Sequence, residues 1–207
     1  MSWPDDLQVF CADIGSVGRN NFAWARRIPA ADHDEEHAPG RIDALARAVR
    51  LALEADQPVA LGLEMPMFVP VPHDWRGLGR ARPSDVDAPA WSSGIGASVM
   101  TTGIVQMAWI LGELPQVELH LRWSDFAQAR RGLLLWEAFV TRDAKGDSHE
   151  ADARIGLEAF CAQLPEVGDE SAAETERPFS LAAAAALWAG WNLDPALLHE
   201  SGVLVRA

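Results

Sequence analysis

Residues 10–27 read FCADIGSVGRNNFAWARR, and their reading decides the fold. Val9–Ile14 is a short apolar run of the length of a buried strand, with Asp13 as its single charge. Gly15, Ser16, Gly18, Arg19, Asn20 and Asn21 follow as a turn, and Phe22–Arg26 resumes an extended pattern. The spacing predicts a hairpin with a five- or six-residue loop. A lone carboxylate in an apolar strand is costly to bury unless it is paired or holds a cation. Asp13 therefore either has a structural partner or faces a site at the strand end.

Outward from the hairpin, Arg41–Glu54 carries Ile42, Leu45, Ala46, Val49 and Leu53 at helical spacing. Pro58–Leu63 then predicts a buried strand that ends in Glu64. Ala30–Gly40 is acidic, and its two His and four acids suit metal binding, but the stretch reads first as a solvated surface loop. Pro66–Ser93 reads as one long loop whose Arg76, Arg80 and Arg82 form a basic cluster. Gly94–Gly112 is apolar nearly all round, which predicts a well-buried helix. Val117–Trp123 alternates like a half-exposed strand, and Gly132–Val140 is an apolar strand broken only by Glu137. His149–Leu164 opens in acids and continues as a helix. Pro165–Pro178 reads as an acidic loop, Phe179–Trp191 as an Ala-rich buried helix, and Gly202–Arg206 as a last strand.

The 207 residues, 49% hydrophobic and 23% charged, predict a single globular domain spanning 1–207. The order of elements predicts an α/β fold with a mixed sheet. The first ten residues lack the basic-then-apolar pattern of a signal peptide, and no run of 18 apolar residues occurs. Cys11 and Cys161 lie in apolar stretches and read as buried thiols, so a cytoplasmic protein that meets no membrane is expected. The net charge of −13 argues against a nucleic-acid grip spread over the whole surface. Sixteen Arg stand against one Lys, Lys145, a bias that reads as base composition.

Three acids stand at the ends of apolar strands: Asp13, Glu64 and Glu137. Asp147, His149, Glu150 and Asp152 cluster at a helix start. Strand ends are where open α/β sheets bind ligands, and hard cations such as Mg²⁺ take oxygen donors of this kind.

That order of residues resembles the ribonuclease H-like superfamily and its Holliday-junction-resolvase branch. Asp13 ends the first hairpin strand, Glu64 ends the strand after the first helix, and His149-Glu150-Ala151-Asp152-Ala153 opens a late one. The pieces CADIGSVGRNNFAWA, VALGLEMPMFVP, LLLWEAFV and SLAAAAALWAGW also resemble the "domain of unknown function 429" family. The resemblance covers Val9–Trp191. It implies a ribonuclease H-like mixed β-sheet flanked by helices. It further implies a metal-dependent nuclease with Asp13, Glu64, Asp152 and Glu137 as catalytic acids. Mg²⁺ or Mn²⁺ would be held by Asp13, Glu64, His149 and Asp152. Separately, the basic cluster of Arg76, Arg80 and Arg82 reads either as a solvated loop or as a phosphate contact for nucleic acid. Two departures stand beside it. No third strand is legible between Arg27 and Arg41, and Ser180 occupies a position where that family often has an acid. The alternatives are a noncatalytic scaffold of the same fold and, through Asp13-Ile14-Gly15-Ser16, an actin-like phosphate motif.

Overall fold

The computed structural model describes residues 6–30, 35–39, 41–85, 90–140, 144–170 and 176–207. Strand β1 (Gln8–Asp13) turns through residues 14–22, which hold one 3-10 turn at Val17–Arg19, into β2 (Ala23–Arg27). This loop is longer than the spacing predicted, because Ile14 and Phe22 belong to the turn region rather than the ladder. A Cβ on Gly15 would fall 1.6 Å from the carbonyl oxygen of Asn21, so only glycine lets the loop close on itself.

β3 (Glu35–Pro39) pairs antiparallel with β2, which corrects the loop reading of this stretch. The register sets Arg26 opposite Glu36 and Arg27 opposite Glu35. An edge strand needs backbone pairing and tolerates charged residues. Apolar periodicity therefore gave no sign of β3. His33 lies outside the described residues.

Helix α1 (Ile42–Glu54) crosses over to β4 (Val59–Leu63), which lies parallel beside β1 as expected. The long proline-rich segment is not all loop: β5 (Phe68–Pro72) leads it. Helix α2 (Gly94–Gly112) precedes the short strand β6 (Leu119–His120) and helix α3 (Trp123–Ala129). The alternation over 117–123 thus yields only two strand residues, since Arg122 already caps a helix. β7 (Leu133–Phe139), α4 (His149–Gln163), β8 (Asp169–Glu170), β9 (Glu176–Ser180), α5 (Leu181–Trp188) and β10 (Gly202–Arg206) complete the chain. The Ala-rich helix starts later than its composition indicated because Phe179 and Ser180 pair with β5.

The main sheet runs β3-β2-β1-β4-β7-β10-β8, with β6 on β7 and a separate β5-β9 ribbon. β1, β4, β7 and β10 are mutually parallel, while β2, β3 and β8 run antiparallel to their neighbours. The fold is α/β with a mixed sheet flanked by helices, as the order of elements predicted.

Strand parity divides the core. Phe10, Leu61, Leu133 and Leu135 face α1, α2 and α5, while Val9, Cys11, Leu134 and Trp136 face α3 and α4. Trp136 stacks on Phe160 of α4 at 4.5 Å between ring centroids. Helix α2 departs from its predicted burial. Met107, Ile110 and Leu111 enter the core, but Ile95, Val105 and Trp109 are exposed. By length and mean hydropathy, 1.4, α2 also meets the requirement for a membrane span, although one third of that window is buried within the fold. Cys11 and Cys161 form no disulfide, and Cys11 is buried while Cys161 is half-buried, less covered than its apolar stretch indicated.

Helix α4 lies across β1 and β2. A Cβ on Gly156 would meet Cys11 Sγ at 2.8 Å and Ala138 at 3.3 Å, so the helix approaches at backbone distance. Gly156→Ala should push α4 outward and cost about 1–3 kcal/mol, measured by urea unfolding at constant m-value.

Candidate metal centre

Parity also decides which acids meet. Asp13 shares the side of Val9 and Cys11, the side that faces α4. Glu64 continues β4 by one residue, and its N–H donates to the carbonyl of Ala12 at 2.8 Å. It follows Ala60 and Gly62 in alternation, so it turns to the same side. From α4, His149 and Asp152 stand three residues apart, on one side of the helix. Ser148 caps that helix, its hydroxyl accepting from Ala151 N at 3.2 Å. Asp152 in the first turn lies where the helix macrodipole favours negative charge.

The three carboxylates of Asp13, Glu64 and Asp152 converge, each offering an oxygen within 4.8 Å of the others. Asp152 is the most tightly held. Its Oδ1 accepts from Gly146 N at 2.7 Å and its Oδ2 from Lys145 Nζ at 3.1 Å. A side chain on Gly146 would fall 2.4 Å from Ala151 Cβ, so glycine is what lets this amide reach the carboxylate. Lys145 Nζ also donates to Glu64 Oε1 at 3.0 Å. Nδ1 of His149 lies against Asp13 Oδ2. Glu64 Oε2 is buried and has no hydrogen-bond donor.

Three carboxylates this close repel by on the order of 4 kcal/mol per pair at an effective dielectric of about 20. Burial raises the Asp13 carboxyl to about 6, with Asp152 adding to the rise while Glu64 and Lys145 oppose it. Burial, then the Asp13 charge, raises Glu64 to about 8. Burial would lower Lys145, but Glu64 and Asp152 outweigh it and raise its affinity for the proton. A proton shared between Asp13 and Glu64 is thus the cation-free way to satisfy the pair. A divalent cation is the other way. The donor set is all oxygen, which suits Mg²⁺ or Mn²⁺, and the unpartnered Glu64 Oε2 leaves a lone pair for it.

Glu137, expected with these acids, is not brought to them. It has the parity of Leu133 and Leu135 and therefore turns to the other side of the sheet. There its oxygens take a bidentate pair from Arg82 at 2.7 Å each, and Met67 N donates to Oε2 at 2.9 Å. Arg82 in turn donates to Asp85 Oδ1 at 2.8 and 3.0 Å, so this arginine is no surface contact for nucleic acid. It is 3% exposed, and it ties the segment after β5 to β7. Arg76 and Arg80 are exposed. The Arg76 guanidinium lies 4.5 Å from the ring centre of the exposed Trp75. Ser180 is fully buried and caps α5 through Ala183 N at 3.1 Å, a structural use of its hydroxyl. Lys145 and Gly146 had no reading as site residues. The signal was present in Lys145, the sole lysine among sixteen arginines, three residues before a capped helix.

Two outcomes follow. Arg82→Ala leaves Glu137 and Asp85 buried without their cation and should cost about 3–5 kcal/mol in urea unfolding, against within about 0.5 kcal/mol for Arg76→Ala. The second concerns pH. Raised carboxyl pKa values mean that the folded chain binds more protons than the unfolded one between the ordinary values, 3.8 and 4.5, and the folded ones, about 6 and about 8. Cation-free stability contributed by this pair should therefore fall as pH rises from about 4 to about 8. Glu64→Gln should flatten that slope in melts taken across the window.

Comparison of the chain with protein-family models, with curated proteins and with solved structures gives no match.

Proposed function

We propose that this chain is a divalent-cation-dependent phosphodiester hydrolase of the ribonuclease H-like type, acting on nucleic acid. The observation that carries the reading is the convergence of Asp13, Glu64 and Asp152 from a strand, a strand end and a helix start. The crossover from β1 to β4 brings only Asp13 and Glu64 to one end, Asp152 joins them from α4, and the mutual repulsion of the three disfavours the arrangement unless a cation or a proton is shared. The strand order supports the same reading. An antiparallel opening of β1, β2 and β3 is followed by parallel β4, β7 and β10, and β3 supplies the third strand that the resemblance requires.

In this reading Asp13, Glu64 and Asp152 hold Mg²⁺ or Mn²⁺, and His149 orients Asp13. The cation would supply a Lewis acid for a phosphoryl oxygen and acidify water at neutral pH. Exposed Arg76, over Trp75 and 3.6 Å from Asp74, and exposed Arg80 would supply phosphate contacts, with Trp75 as a stacking surface. The second reading is a noncatalytic scaffold. Lys145 favours it, because its ammonium already neutralises part of the triad.

Mn²⁺ should raise the melting temperature, since a ligand bound only by the folded state stabilises by about 2.7 kcal/mol at a hundredfold excess over Kd. Asp13→Asn should remove both that shift and cleavage, leaving the cation-free fold as stable or slightly more so. Branched DNA, single-stranded DNA and RNA–DNA hybrids are the substrates to assay. A wild type with no Mn²⁺ shift and no cleavage of any of them selects the scaffold.

A further inference from the structure

The acidic triad has two unequal edges. Between Glu64 and Asp152 the Lys145 ammonium is already in place, at 3.0 Å from one and 3.1 Å from the other. Between Asp13 and Glu64 no ammonium or guanidinium is bound among the described residues, and Glu64 Oε2 is buried without a partner. We propose that Lys145 permanently occupies the place of a second cation, so that the site loads a single divalent ion at the Asp13–Glu64 edge.

Charge supports this count. Three ionised carboxylates carry three negative charges, which one ammonium and one divalent cation balance. A second divalent ion beside Lys145 would leave a surplus of positive charge among largely buried groups, which is costly. The residue type fits as well. An ammonium is a compact point charge with three donors, closer to a metal ion in shape than the planar fork of arginine. A chain with sixteen arginines places its one lysine at this position. The lysine is held at its head, while its side chain is 47% exposed, so the stem is packed loosely and the charge is what the site uses.

The inference rests on the reading of the triad as a cation site, and counting bound ions separates the two. Mn²⁺ titrated into the full chain, with free ion followed by electron paramagnetic resonance, should saturate at one ion per chain in the wild type. Lys145→Gln and Lys145→Met, checked for folding by circular dichroism, should take up two. Lys145→Arg, which keeps the charge, should remain at one. Two ions in the wild type, or one in both neutral variants, overturns the role of Lys145 while the cation site stands. No ion bound by the wild type overturns the cation site, and this proposal with it.

Discussion

Everything near the sheet's acidic end depends on how closely α4 can lie on β1. Gly156 removes the one side chain that would hold the helix away from Cys11, and Ala138 and Ala153 keep the rest of the contact thin. At that distance the first turn of α4 reaches the end of β1. His149 meets Asp13, and Asp152 comes within ligand distance of Asp13 and Glu64. A bulkier contact would preserve the strand order and the helix, yet separate the carboxylates. The convergence of the carboxylates is therefore a consequence of apolar packing more than of any attraction among the acids, which repel one another.

The two buried ionic clusters show opposite uses of the same residue types. On the α2 side of the sheet, Arg82 saturates Glu137 and Asp85 with short, geometrically matched hydrogen bonds. Such a pair gains its value from complete satisfaction, and it fastens the segment after β5 to the central strand β7. On the α4 side, three acids share one ammonium, one oxygen remains unpartnered, and the Asp13 and Glu64 carboxyls are raised. Incomplete satisfaction is costly for stability, and that is what makes this cluster a candidate site.

Much of this was written in the chain. The apolar run ending in Asp13, the VALGL strand ending in Glu64 and the amphipathic helix between them required two parallel neighbours joined by a crossover. Two strands so joined bring their terminal acids to one end. Position alone could not say which acids share a side, and Glu137 was grouped with the others on that ground. Parity along LLLWEAF puts Glu137 with Leu133 and Leu135, but both sides of this strand are apolar, so only the register that sets Glu137 opposite Leu63 separates it from the triad.

The sequence by itself determined the opening hairpin, α1, β4, β7 and α4, the α/β class and the acids at strand and helix ends, because hydrophobic periodicity records which residues of an element are buried. Only the tertiary structure decided four things. β3 became a strand through backbone pairing, which leaves no apolar signature. Arg82 became a core residue because Glu137 and Asp85, distant and near in sequence, both face it. Ile95, Val105 and Trp109 of α2 became surface because that helix packs chiefly against α5 and α1, which cover only one side of it. Lys145 became part of the site because its stem reaches two carboxylates, 81 and 7 residues away in the chain, and long-range contact of that kind has no period to read.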